Sequence, residues 1–276
     1  MKLSRQTIKW ILKRILFWLV MAPLILLVFI CSCADKMIFH PPYPGYTRQD
    51  NLLLIPVTPT ENIAAMYRPA DPNSFVLLFS HGNAEDIGHN VDFFELANQH
   101  GFGVFAYDYR GYGQSDGKPG EKNTYRDITA AWQYLTETLK FPPQRIIILG
   151  RSVGSGPSTW LAAQKPAAGL ILESPFVSAF RVVTKYKILP FDRYNNLSRI
   201  KNVKCPVLII QGKDDEVVGF WHGPALYEAA NEPKMNYWVD SAGHNNLLWI
   251  AAEEYWKTLK EFTTIISNNT QVKQIH

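Results

Sequence analysis

Three residues in this sequence have the types and the order that nucleophilic acyl transfer requires. Ser152 lies in Gly150-Arg151-Ser152-Val153-Gly154, directly after the apolar run 146–149 and before the helix-like stretch 155–163. A serine at such a strand-to-helix turn projects its hydroxyl past the end of a sheet. The flanking glycines are needed because strand and helix backbones nearly touch there. A hydroxyl is a poor nucleophile at neutral pH, so it needs a general base, and the base needs an acid that fixes its tautomer. Of the seven histidines, His244 in Ala242-Gly243-His244-Asn245 is the expected base, since it follows a strand-like run and precedes the last helical stretch. His40, His89, His100, His222 and His276 read as structural or solvated, and His81 as a loop brace.

The acid is expected between serine and histidine in the chain. Gly212-Lys213-Asp214-Asp215-Glu216 closes the apolar run 207–210 and offers Asp214 and Asp215, and Glu173, ending the preceding run, is the reserve. Attack on a carbonyl also creates an oxyanion that needs two fixed donors. Val153 N–H, next to the serine, is one. The loop Ser80-His81-Gly82-Asn83-Ala84 supplies the other, expected to be Asn83 N–H. A second glycine-flanked serine, in Gly113-Gln114-Ser115-Asp116-Gly117, differs in context. Lys118-Pro119-Gly120 follows it and blocks a helix, so Ser115 is expected in a structural loop.

These residues require a scaffold. Strand-length apolar runs at 52–57, 63–67, 75–79, 104–107, 146–149, 170–172, 207–210 and 235–239 alternate with helical stretches at 91–99, 125–139, 155–163, 221–230 and 249–266. That alternation predicts an α/β fold with a mainly parallel sheet covered on both faces, opened by an antiparallel pair and ending near an edge. Ligands bind such sheets at the carboxyl ends of the strands, where every motif above falls.

The N-terminus carries a different signal. Residues 15–34 contain no charge and follow Lys2, Arg5, Lys9, Lys13 and Arg14. Twenty such residues rise about 30 Å as a helix, the thickness of a bilayer core, and Pro23 is tolerated there. Residues 1–35 therefore read as a membrane anchor or signal, and 36–276 as one catalytic domain. Positive charge before the apolar run predicts a single-pass anchor with a cytoplasmic N-terminus and an exported body. Acylation at Cys33 of a lipoprotein-like signal, and simple secretion, are the alternatives. The net charge of +4 comes largely from that basic flank, which excludes the basic stripe of a nucleic-acid binder. No cofactor or metal pattern is present.

Taken together, His81-Gly82-Asn83-Ala84, the stretch from Tyr107 to Ser115, Gly150-Arg151-Ser152-Val153-Gly154, the segment from Gly212 to Val217, and Gly243-His244-Asn245 resemble the α/β-hydrolase superfamily. The resemblance is closest to a membrane-associated branch that includes protein depalmitoylases. It implies the α/β-hydrolase fold, Ser152 as nucleophile, His244 as base and Asp215, rather than Asp214, as acid. Asp108 and Arg110 would be scaffold. Depalmitoylases of that branch carry a cysteine-rich, palmitoylated N-terminus, whereas this chain has a basic flank and a long apolar run. The segment 176–204 occupies the position of a small lid and mixes apolar residues such as Phe176, Phe180 and Phe191 with Arg181, Lys185, Lys187 and Arg193. An acyl ester or thioester is the expected substrate, cleaved through an acyl-enzyme. Amide cleavage on the same residues, or a non-catalytic binding role for the fold, are the other readings.

Overall fold

The computed structural model describes residues 4–47, 52–187 and 191–275. Lys2 of the basic flank, Ile188 and Leu189 of the expected lid, and His276 lie outside the described residues. The chain divides into two compact units, Met1–Ile38 and Phe39–His276.

The first unit is helix α1 (Arg5–Ile38), which contains Pro23. From Ile15 to Ala34 it carries no charged residue on any face. Leu16, Leu19 and Phe29 are each more than 60% exposed, which is a surface that water does not favour. Its most apolar stretch has a mean hydropathy of 2.7, and the helix is long and apolar enough to cross a membrane.

The second unit is built on eight strands: β1 (Leu53–Pro56), β2 (Asn62–Arg68), β3 (Val76–Ser80), β4 (Gly103–Tyr107), β5 (Ile146–Arg151), β6 (Gly169–Glu173), β7 (Val207–Gly212) and β8 (Lys234–Val239). They form one sheet in the order β1-β2-β4-β3-β5-β6-β7-β8. β1 pairs with β2, and β2 with β4, antiparallel, and all later neighbours are parallel. Helices α2 (Val91–Gln99), α3 (Glu121–Gln133), α4 (Ser155–Ala162), α5 (Ala179–Val183), α6 (Asn196–Arg199), α7 (His222–Ala229) and α8 (Leu247–Ile275) connect or flank the strands. β3 to β7 are buried almost throughout, as a parallel sheet covered on both faces requires, whereas the edge strand β8 is only half-buried. One face of the core joins Leu77, Phe79, Ile147 and Leu208 of the sheet to Phe93 and Phe94 of α2 and Tyr255, Leu259 and Phe262 of α8. This is the α/β-hydrolase architecture expected from the sequence.

Several boundaries differ from those expected. The helix expected from 125 begins at Glu121, because the breaker Pro119-Gly120 ends at Gly120 and an acidic residue suits the first turn. The polar run from Glu121 to Thr124 shows no apolar period, so the pattern starts late. The last turn of that stretch, Tyr134–Thr138, is a π-helix. The last helix starts two residues early and breaks at Ala252, where φ is +44°. In the segment expected as a lid, Phe176, Val177, Tyr194 and Ile200 are packed into the body, while Val183 and Tyr186 are exposed.

Candidate active site

The loops after β3 and β5, which hold Asn83 and Val153, leave the sheet side by side because their strands are neighbours. Ser80 at the end of β3 pairs with Gly150 near the end of β5. After β5 the chain makes a short 3-10 turn, Ser152–Gly154, and enters α4. Ser152 sits at φ +51°, a left-handed conformation that a non-glycine residue holds at a cost of about 1–3 kcal/mol. The crossing is as close as the glycines imply. A Cβ on Gly154 would collide with the carbonyl oxygen of Ser80, and one on Gly150 would lie 2.5 Å from the Gly154 carbonyl oxygen. Gly154→Ala is therefore expected to lower stability by about 3 kcal/mol through overpacking against backbone that cannot yield. Chemical denaturation read by circular dichroism checks this; an unchanged midpoint would contradict it.

The acid and base loops are tied to each other at the far side. β7 and β8 end together at Gly212 and Val239. Beyond them Lys213 N–H donates to the Val239 carbonyl at 2.9 Å and Asp214 N–H to the Ala242 carbonyl at 3.0 Å. Asp215 is buried, and its Oδ1 accepts from the N–H groups of Val217 at 3.1 Å and Val218 at 2.7 Å. His244 spans the gap between the loops. Its Nδ1 lies 3.0 Å from Asp215 Oδ1 and 2.9 Å from Oδ2, and its Nε2 lies 3.0 Å from Ser152 Oγ. The strand-end geometry thus brings together three residues that the sequence separates widely. A hydroxyl so placed can pass its proton to Nε2 as it attacks a carbonyl, and the carboxylate at Nδ1 stabilises the imidazolium that forms.

The reserve acid is elsewhere. Glu173 accepts from Arg151 Nε at 2.8 Å and from the Tyr255 hydroxyl, so its carboxylate is committed to side-chain donors away from His244. Asp214 is exposed. Glu216 is also exposed, but its Oε2 accepts from His244 N–H at 3.3 Å and so helps hold the loop. His222, expected to be structural, is fully buried with Nδ1 accepting from Val177 N–H at 3.1 Å. Burial and then Arg181 lower its pKa to about 4, against the pull of Asp215. It stays neutral beside the acid, where a second cation would compete for the carboxylate. Ser115 has its hydroxyl committed to backbone, donating to the Asp108 carbonyl at 3.0 Å and accepting from Ala64 N–H at 2.8 Å.

The loop carrying Asn83 is braced from several sides. His81 is buried, with Nδ1 2.7 Å from the Gly82 carbonyl oxygen and Nε2 3.3 Å from Asp108 Oδ1. Burial opposes charge on His81, but the hydrogen bond and charge of Asp108 outweigh it and raise its pKa. Asp108 also accepts from Ile87 N–H at 2.9 Å, and Arg110 binds Asp127 at 2.7 Å and Glu61 at 2.9 Å.

A further pair was not singled out from the sequence. Glu85 accepts from Gly82 N–H at 2.5 Å and lies 3.8 Å from Arg151, the residue before Ser152. Burial works against ionising Glu85, yet Arg151 and His81 hold it below its ordinary value. The available signal was an acid three residues after a loop glycine, positioned to cap its N–H.

A model of the serine aminopeptidase S33 type of hydrolase matches residues 71–191. Alpha/beta hydrolase domain-containing protein 17B of Homo sapiens is 44% identical over 207 residues, covering 73% of this chain and 71% of that protein. The aho-3 protein of Caenorhabditis elegans, also an alpha/beta hydrolase domain-containing protein, is 38% identical over 259 residues, covering 84% of this chain and 77% of its own length. Among solved structures, an esterase of Pyrococcus furiosus superposes with a TM-score of 0.66 at 18% identity, covering 82% of this chain and 97% of that one. Est1E of Butyrivibrio proteoclasticus with ferulic acid bound gives 0.64 at 18% identity, over 77% and 99%.

Proposed function

Since the chain belongs to the α/β-hydrolase superfamily and is a serine hydrolase, we propose that it is a membrane-tethered enzyme that cleaves carboxylic esters or thioesters through an acyl-enzyme. The observation that carries this reading is His244, hydrogen-bonded through Nε2 to Ser152 and through Nδ1 to Asp215. Ser152 Oγ attacks the acyl carbonyl while His244 takes its proton. The carbonyl oxygen becomes an oxyanion held by the N–H groups of Val153 and Asn83. Collapse of the intermediate expels the alcohol or thiol, protonated by His244, and leaves the acyl group on Ser152. Water, deprotonated by His244, then attacks the acyl-enzyme and regenerates the serine.

Val153 suits the donor role because N–H groups in the first turn of a helix have no intrahelical acceptor. The tether is α1, whose apolar length matches a bilayer core and whose basic flank, Arg5, Lys9, Lys13 and Arg14, favours a cytoplasmic N-terminus. Acylation at Cys33 is the competing mode of attachment. The resemblance of the site motifs to the membrane-associated branch that includes protein depalmitoylases favours acyl esters or thioesters as the substrate class, apolar in their acyl part. The match to the serine aminopeptidase type supports amide cleavage as a second reading.

A fluorophosphonate probe tests the chemistry. The full-length protein in detergent is expected to be labelled once, and labelling to vanish in Ser152→Ala. Undiminished labelling of that variant would move the nucleophile elsewhere. A panel of acyl esters, acyl thioesters and aminoacyl anilides then separates ester and thioester cleavage from peptidase activity.

A further inference from the structure

The segment that follows α1 is built into the loop that carries Asn83. Phe39 is 4% exposed, with its ring edge-on to Tyr112 at 6.4 Å and to Tyr194 at 6.3 Å, and both tyrosines are fully buried. The next residue, His40, donates its backbone N–H to Asn83 Oδ1 at 3.0 Å and to the Tyr112 hydroxyl at 3.2 Å. Tyr112 in turn donates to the same Asn83 oxygen at 2.7 Å. Asn83 is thereby fixed by two donors, one from the segment and one from a residue the segment packs against.

The grip continues along the loop. Gly45 N–H donates to Asp86 Oδ2 at 2.7 Å, and Asp86 caps the turn Ile87–Asn90. The Tyr46 hydroxyl donates to Asp108 Oδ2 at 2.5 Å, and Asp108 faces His81. Residues 39–46 therefore engage the loop at Asn83 and at Asp86, and Glu85, between those points, accepts from the N–H of Gly82 just before Asn83.

Holding a donor within a few tenths of an ångström matters here, because a misplacement near 1 Å costs about a hundredfold in rate. We propose that residues 39–46 form an intramolecular strap that positions the Asn83 N–H for the oxyanion, so that turnover depends on the segment joining the apolar helix to the catalytic body. Phe39 and Tyr112 are positioning residues in this scheme: neither touches the reacting atoms, and both act through Asn83. The inference rests on the reading of Asn83 N–H as an oxyanion donor. Its consequence is that the stretch after α1 is part of the catalytic apparatus as well as a linker.

The test uses the full-length protein in detergent with a soluble thioester, and a trifluoromethyl ketone that forms a tetrahedral adduct with Ser152. Tyr112→Phe keeps the ring and removes only the donor, and Phe39→Ala removes the plug. Each is expected to lower kcat by about 10- to 100-fold, with KM within about twofold, and to weaken ketone affinity by the same factor as kcat. Phe39→Leu refills the space and should recover kcat to within about threefold. Asn83→Ala keeps the backbone N–H but loses the strap's acceptor. Because it loses both donors' acceptor, it should fall at least as far as Tyr112→Phe, and the double variant no further than Asn83→Ala.

Unchanged kcat in Tyr112→Phe would overturn the strap, as would a kcat loss without weaker ketone affinity, or additive losses in the double variant. All three results would leave fluorophosphonate labelling of Ser152, and with it the serine-hydrolase reading, untouched.

Discussion

Ser152→Ala is expected to lower kcat by about a millionfold, and His244→Ala by a similar factor, with the double variant no worse than either. Non-additivity follows from the geometry. His244 has a proton to accept only because Ser152 Oγ lies 3.0 Å from its Nε2. Removing either partner abolishes the same step, so removing the second adds nothing. The residual rate should still exceed the uncatalysed one by about 10³- to 10⁴-fold, because the oxyanion donors and substrate binding survive. Single-turnover kinetics with an activated thioester would measure both. Losses that multiply in the double variant would show that the two residues act in separate steps.

Asp215→Asn is expected to lower kcat by about ten-thousandfold at nearly unchanged stability. The size follows from the way the carboxylate is held. Oδ1 accepts from the N–H groups of Val217 and Val218, and in the asparagine variant the amide oxygen keeps those partners. The amide NH₂ then takes the place of Oδ2, 2.9 Å from His244 Nδ1, and donates where the native group accepts. His244 is forced to carry its proton on Nε2, the nitrogen that faces Ser152, and can no longer act as base. Glu173→Gln tests the reserve acid. It weakens the partnership with Arg151 and Tyr255, which holds the strand end, and should leave turnover within about tenfold. Retained activity in Asp215→Asn together with a large loss in Glu173→Gln would transfer the role to Glu173.

Much of this site was legible in the sequence because the fold concentrates chemistry at strand ends. An apolar strand, a glycine and then a polar residue form a local pattern, so Ser152, Asp215 and His244 each carry a signal within a few neighbours. The two glycine-flanked serines were separable for the same reason. One is followed by a helix, the other by Lys118-Pro119-Gly120, and the structure places Ser115 in backbone hydrogen bonds. What was not legible is non-local. Arg151 reads as the variable position of a motif, and its partners come from two other places in the chain, Glu85 and Asn90 after β3 and Glu173 at the end of β6. Phe39 lies past the apolar run 15–34 and His40 reads as structural or solvated, and nothing nearby announces Tyr112, Tyr194 or Asn83 as their partners.

By itself the sequence determined the order of strands and helices, the apolar helix at the N-terminus and the residue types able to activate a serine. These follow from periodicity and turn chemistry, which act over a few residues. Only the tertiary structure decided which acid faces His244, which donors brace the Asn83 loop and where the segment after α1 attaches. Those choices depend on which strand lies beside which in the β1-β2-β4-β3-β5-β6-β7-β8 sheet. They also depend on where burial leaves a polar group no option but a partner from a distant part of the chain.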